Sequence, residues 1–177
     1  MTHYRTAPLP SSGLPAGIPY IIGNEAAERF SYYGMRGILV VFMTQYLLDG
    51  EGGAAPMSDA EARSFYHLFS FAVYFFPLVG ALVADLWLGK YRTILFLSIV
   101  YCLGHLALAF DETRFGLSLG LGLIAVGSGG IKPCVSAHLG DQFGPSNSGL
   151  ITKVFSWWYF LVSRIQILLS FSTNGRM

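Results

Sequence analysis

Apolar residues in this chain come in long unbroken blocks rather than at the spacing of a surface helix. The clearest runs cover residues 65–83, 94–110 and 115–131, each near the ~20 residues a helix needs to cross a hydrocarbon core. None shows the strict alternation of a membrane β-strand. In lipid the backbone must then satisfy its own polar groups, which dictates helices. The pattern predicts five helical segments, at about 18–48, 59–86, 91–110, 115–139 and 150–170.

Punctuation between the blocks supports these limits. Gly50, Gly52, Gly53 and Pro56 separate the first two segments, and Ser58 followed by Glu61 is a capping-box signature for the second. The fourth holds Gly116, Gly120, Gly122, Gly127, Gly129 and Gly130, including a Gly-x-x-x-Gly spacing that lets helices approach closely in lipid. Pro133 is expected to kink or end its regular part.

Composition agrees. The chain of 177 residues is 53% hydrophobic and 12% charged, well outside the balance of soluble domains, so the fold class is an all-α membrane protein with the lipid bilayer as its surroundings. A net charge of +1 offers no basic footprint for nucleic acid. Cys102 and Cys134 lie inside apolar blocks and read as packing residues rather than a disulfide framework. Residues 1–17, with Pro8, Pro10 and Pro15, lack the apolar core of a signal peptide and are expected to form a loose cytoplasmic tail. Arg5, Lys90, Arg92 and Lys153 fall on one side of an alternating topology, and Arg63 and Arg114 on the other. That bias places the N-terminus inside the cell.

The first segment is not wholly apolar. Glu25, Glu28, Arg29, Tyr32, Tyr33 and Arg36 fall within roughly 140° of its circumference, and Lys132 adds a cation in the fourth. A charge at the membrane centre costs about 2.5 to 3.5 kcal/mol even on insertion scales, so these groups must face one another or water. Two carboxylates and three cations sum to +1, which leaves one cationic position for an anionic group. Placing Glu25, Glu28 and Arg29 at the interface would explain those three and leave Arg36 and Lys132 unexplained.

These residues carry a resemblance. Glu25-Ala-Ala-Glu28-Arg29-Phe30-Ser31-Tyr32-Tyr33-Gly34 resembles the ExxERFxYYG motif of the proton-dependent oligopeptide transporter family, a branch of the major facilitator superfamily. Gly80 through Asp85, Gly89, Lys90 and Arg92 resembles the superfamily's loop between helices two and three, and Gly127-Ser-Gly-Gly-Ile-Lys132-Pro133 resembles the family's fourth helix. The resemblance implies a partial N-terminal bundle, with four complete transmembrane helices and a fifth aberrant one, of a proton-driven symporter of di- and tripeptides in the plasma membrane. It implies that Tyr32, Tyr33, Arg36, Tyr74 and Lys132 line the peptide site, with Arg36 meeting the peptide carboxylate. It implies that Glu25, Glu28, Arg29, Lys132 and His67 couple protons, and that Asp85, Gly89, Lys90 and Arg92 form a conformational gate. Protons are then the coupling ion, with no other cofactor and no metal. Read without the family, His67 and Tyr74 equally suit a packed helix face.

The resemblance covers residues 18–162 and stops at Ser163. Residues 163–177 are expected to be a divergent tail, from a shifted reading frame or a truncated product. The expected partners are small peptides and the missing C-terminal half, or another helical bundle. A chain of this extent is expected to be inactive alone. A non-transporting remnant that docks on other helices is the alternative. An intramembrane serine hydrolase is a remote one, resting on Gly116-Leu-Ser118-Leu-Gly120 with His105 and His138 nearby.

Overall fold

The computed structural model describes residues 8 and 11–174, with side chains through residue 169; Arg5, Pro10 and Arg176 lie outside it. Five helices form in the predicted order: α1 (Ile18–Val41), α2 (Asp59–Val83), α3 (Lys90–Phe110), α4 (Arg114–Gly140) and α5 (Ile151–Asn174). α1 and α2 each widen at the far end into a π-helical turn, Phe42–Tyr46 and Ala84–Leu88, and a 3₁₀ turn, Ser148–Leu150, leads into α5. Among the described residues, three helices are both long and apolar enough to cross a membrane: α2 with its π turn, α3 and α4. α1 has the length, at 24 residues, but its four charges lower its apolarity. α5 continues without a break through Ser163, where the resemblance is expected to stop.

Local chemistry explains the ends. Ser58 caps α2 by accepting from the Glu61 backbone N–H at 3.3 Å. Only this half of the expected capping box forms, because the Glu61 carboxylate instead takes a bidentate pair from Arg114 at the start of α4. Gly89 closes the α2–α3 corner at φ 75°, a conformation other residues reach only with strain. Pro133 does not end α4. The helix runs seven residues beyond it, to Gly140, at the cost of one ladder bond.

The chain divides into two compact units, one of Met1–Tyr33 with Val135–Met177, the other Gly34–Cys134. Of the three apolar helices α4 is the most buried: 61% of its apolar window is buried, against 17% for α2 and for α3. Its glycines explain how. A Cβ on Gly80 of α2 would come within 2.5 Å of Gly130 Cα, and one on Gly104 of α3 within 2.8 Å of the Ile124 backbone N. Both are closer than real side-chain carbons come, so the backbones touch where only glycine allows it. In the second unit Leu48 bridges Ala54 and Thr113, and the Met57 amide donates to Met43 at 2.8 Å over the buried side chains of Met43 and Leu47.

In the first unit two of the described residues ahead of α1, Ser11 and Gly13, have their carbonyls held by the α4–α5 loop. Ser146 donates its hydroxyl to the Ser11 carbonyl at 2.9 Å, and Asn147 its amide to the Gly13 carbonyl at 3.2 Å. Asn147 is buried and accepts from the Gly144 N–H at 2.7 Å. The polar side chains of the α4–α5 loop thus supply backbone partners at Ser11 and Gly13.

Candidate functional site

The α1 stripe gathers Glu25, Glu28 and Arg29 because residues three and four apart share a helix face. Arg29 Nε lies 3.0 Å from Glu25 Oε1 and 2.5 Å from Glu28 Oε2, and the Arg29 side chain is only 2% exposed. The guanidinium also sits 5.6 Å from the centre of the buried Tyr32 ring, whose edge meets Tyr33 at 5.3 Å. Isolated charges this deep would be very costly, and pairing offsets much of that cost. Two carboxylates against one guanidinium still leave an excess of one negative charge in the triad. A further cation or a proton must neutralise it, and exchange between those two is the chemistry such a cluster can perform.

In the other unit two cations are each held by a tyrosine of α2. The half-buried Arg36 donates from Nε to the Tyr66 hydroxyl at 2.5 Å, with its guanidinium carbon 5.2 Å from the ring centre. Lys132 Nζ stands 5.8 Å from the centre of the Tyr74 ring, which is largely exposed. Eight residues separate the two tyrosines, or about 12 Å along the helix. His67 is exposed, with its ring 6.1 Å from that of Tyr66. Tyr66 was missed by sequence reasoning, since one tyrosine beside a phenylalanine in an apolar block carries no mark of its own.

The four gate candidates cluster at the α2–α3 corner. Asp85 is exposed on the π turn, Gly89 forms the corner, Lys90 opens α3, and Arg92 follows it, exposed. Ser118 lies within an unbroken helix and donates its hydroxyl to the Arg114 carbonyl at 2.7 Å, without the strand-to-helix turn a nucleophilic serine needs. Among the described residues no group of three His, Cys, Asp or Glu is placed to hold a metal.

Membrane-length helices that pack through glycine define a helical integral membrane protein. The PTR2 family model, that of the POT family, matches residues 91–164. The chain is 46% identical over 157 residues to "Peptide transporter family 1" of Drosophila melanogaster, covering 84% of this chain and 20% of that protein. The chain belongs to the POT family. It superposes on the crystal structure of the POT family transporter PepTSo with a TM-score of 0.81 and 46% identity, over 90% of this chain and 32% of that one. A POT family transporter in complex with a thioalcohol conjugated peptide matches with a TM-score of 0.75 and 27% identity, over 86% of this chain and 31% of that one. The chain thus spans about a fifth of the curated relative and a third of the solved transporters. Membership in a transporter family sets it apart from hydrolases.

Proposed function

We propose that this chain forms part of a proton-coupled symporter of di- and tripeptides, seated in the plasma membrane with its N-terminus inside. The observation that carries the reading is the buried triad of Glu25, Glu28 and Arg29 with its excess negative charge. In a membrane helix this excess is a place where a proton and a cation compete. Protonation of a carboxylate releases the cation opposing it, and the packing that depended on that attraction changes with it, which is the coupling alternating access requires.

The peptide side of the proposal rests on Arg36 and Lys132, two cations steadied by aromatic rings, with Arg36 meeting the carboxylate and Tyr32, Tyr33 and Tyr74 lining the site. His67 joins Glu25, Glu28, Arg29 and Lys132 in handling the proton, and Asp85, Gly89, Lys90 and Arg92 gate the corner between α2 and α3. The N-inside orientation is supported by the excess of Lys and Arg in the loops assigned to the cytoplasm. The relative solved with a peptide ligand supports the substrate class. A zwitterionic peptide also needs an anionic counterpart for its amino end, which the reading assigns to the second half of a complete transporter.

Uptake by proteoliposomes tests this. The chain joined to the remaining length of a relative is expected to accumulate a labelled dipeptide under an inward proton gradient. Lys132→Ala should lower that uptake by about tenfold, the worth of one charge-assisted hydrogen bond, and the 177-residue chain by itself should give none. Accumulation that ignores the proton gradient would overturn the coupling, and uptake by the short chain alone would show that copies of it assemble into a working pair.

A further inference from the structure

The stretch ahead of α1 meets the α4–α5 loop, inside one compact unit, through two side chains adjacent in sequence. Ser146 and Asn147 donate to the carbonyls of Ser11 and Gly13 at 2.9 and 3.2 Å. Each side of this contact keeps its shape without the other. Ser11 Oγ accepts from the Gly13 N–H at 3.2 Å and donates to the Gly13 carbonyl at 3.3 Å, which folds residues 11–13 into a local turn. Asn147 is buried and fixed by its own loop. Its Oδ1 accepts from the Gly144 N–H at 2.7 Å, its backbone N–H donates to the Gly144 carbonyl at 3.2 Å, and its carbonyl accepts from the Leu150 N–H at 3.0 Å. Two preformed surfaces joined through these two hydrogen bonds, the Ser146 one exposed to water, can part without either being remodelled.

Between the gripped carbonyls and α1 stand the exposed Leu14, then Pro15, Ala16 and Gly17, and at Ile18 the chain becomes fully buried. The Ile18 N–H donates to the Pro15 carbonyl and the Ile21 N–H to the Gly17 carbonyl, each at 3.1 Å, so the first turn of α1 is built on this same stretch. A Cβ at Gly17 would come within 2.8 Å of Gln142 Oε1, which sets this glycine against the turn that follows α4.

We propose that residues 11–17 are a strap over the α4–α5 loop with Asn147 as its catch, and that opening the catch frees the strap and the first turn of α1 as one unit while the loop stays folded. α1 then has two states at its N-terminal end, moored and released, at one shape of the loop. The two ends of the Asn147 amide divide the work. An N–H can meet only its oxygen and a carbonyl only its NH2 group, so Oδ1 serves the loop and Nδ2 serves the strap. The strap stands apart from the peptide reading, since none of its residues belongs to the charged stripe of α1 or to the tyrosine-held cations.

The test uses the whole chain in lipid nanodiscs as wild type, Asn147→Asp and Ser146→Ala, with amide hydrogen exchange followed by mass spectrometry. Asn147→Asp keeps an oxygen for the Gly144 N–H and replaces the donor to Gly13 with an acceptor, so it opens the catch and spares the loop. It is expected to speed exchange across residues 13–21 about tenfold, the worth of one hydrogen bond, and across 143–150 by less than about twofold. Faster exchange in both segments makes Asn147 a residue of the loop's own fold and overturns the strap. Unchanged exchange across 13–21 overturns the catch. Faster exchange that ends before Ile18 overturns the claim that α1's first turn opens with the strap. Ser146→Ala removes only the outer bond and is expected to speed the same segment about threefold. It carries the test if Asn147→Asp does not fold, and no change in it then overturns the strap.

Discussion

Arg29 and Glu25, one helical turn apart on α1, meet at 3.0 Å with both side chains withdrawn from water. Glu28 Oε2 lies 2.5 Å from the same nitrogen, so the guanidinium is what lets two carboxylates share one buried face. Arg29→Met is expected to destabilise the protein by about 3–5 kcal/mol, the range for removing one partner of a buried ion pair. Glu28→Gln, which keeps the Arg29–Glu25 pair, should cost about 1–2 kcal/mol. Denaturant unfolding of both variants in nanodiscs, followed by circular dichroism, ranks them. Equal losses would show that the cluster is not organised around Arg29.

Two glycines of similar surroundings in the sequence are expected to respond oppositely to alanine. A Cβ at Gly80 would run into the Gly130 backbone, which cannot yield as a flexible side chain could, whereas Gly122 has nothing within 4 Å of the position a Cβ would take. Gly80→Ala should destabilise by about 1–3 kcal/mol through overpacking. Gly122→Ala should stabilise by about 0.5–1 kcal/mol, since alanine is the better helix former. Unfolding curves for the two variants, measured in the same lipid, provide the comparison, and a loss at Gly122 would contradict the open face assigned to it.

Asp111 lies in the short connection between α3 and α4, outside the apolar spans. Hydrogen bonds from Thr113, side chain and backbone, hold its carboxyl below the usual value, the backbone N–H reaching Oδ1 at 2.9 Å. Because the folded value is depressed, its contribution is fully present above the unfolded carboxylate pKa of about 3.9 and is lost as pH falls through the lower folded value. Asp111→Ala should therefore be less stable than the wild type at neutral pH, with the two converging in acid. Amide exchange of the Thr113 N–H across pH 2–6 reads this directly, and a gap that widens toward low pH would reverse the sign argued here.

The helices were legible in the sequence because lipid leaves the backbone few options, and all five fall within a few residues of the segments that hydropathy marks. The buried α1 triad was legible because a strong helix period fixes which charges share a face. Contacts that depend on how helices cross were not. Nothing local distinguishes Tyr66 from Phe65, and its partnership with Arg36 exists only once α1 and α2 lie side by side. Glu61 reads as half of a capping box, yet a cation fifty-three residues away competes for its carboxylate and wins, since a charged donor outranks a backbone amide. Pro133 reads as a kink or an end because an isolated helix would yield there, and in the folded chain α4 continues past it to Gly140.

The Asn147 latch carries a consequence for the order in which the molecule is made. Gly13 is made before its partner, and the side chain that bonds its carbonyl follows 134 residues later. At about 5–20 residues per second that is a wait of roughly 7 to 27 seconds. Through that interval α1 can enter the bilayer while the direction of its lead-in stays undecided, and only the loop after α4 settles it. The lead-in to α1 is thus settled only after α1 to α4 have all been made.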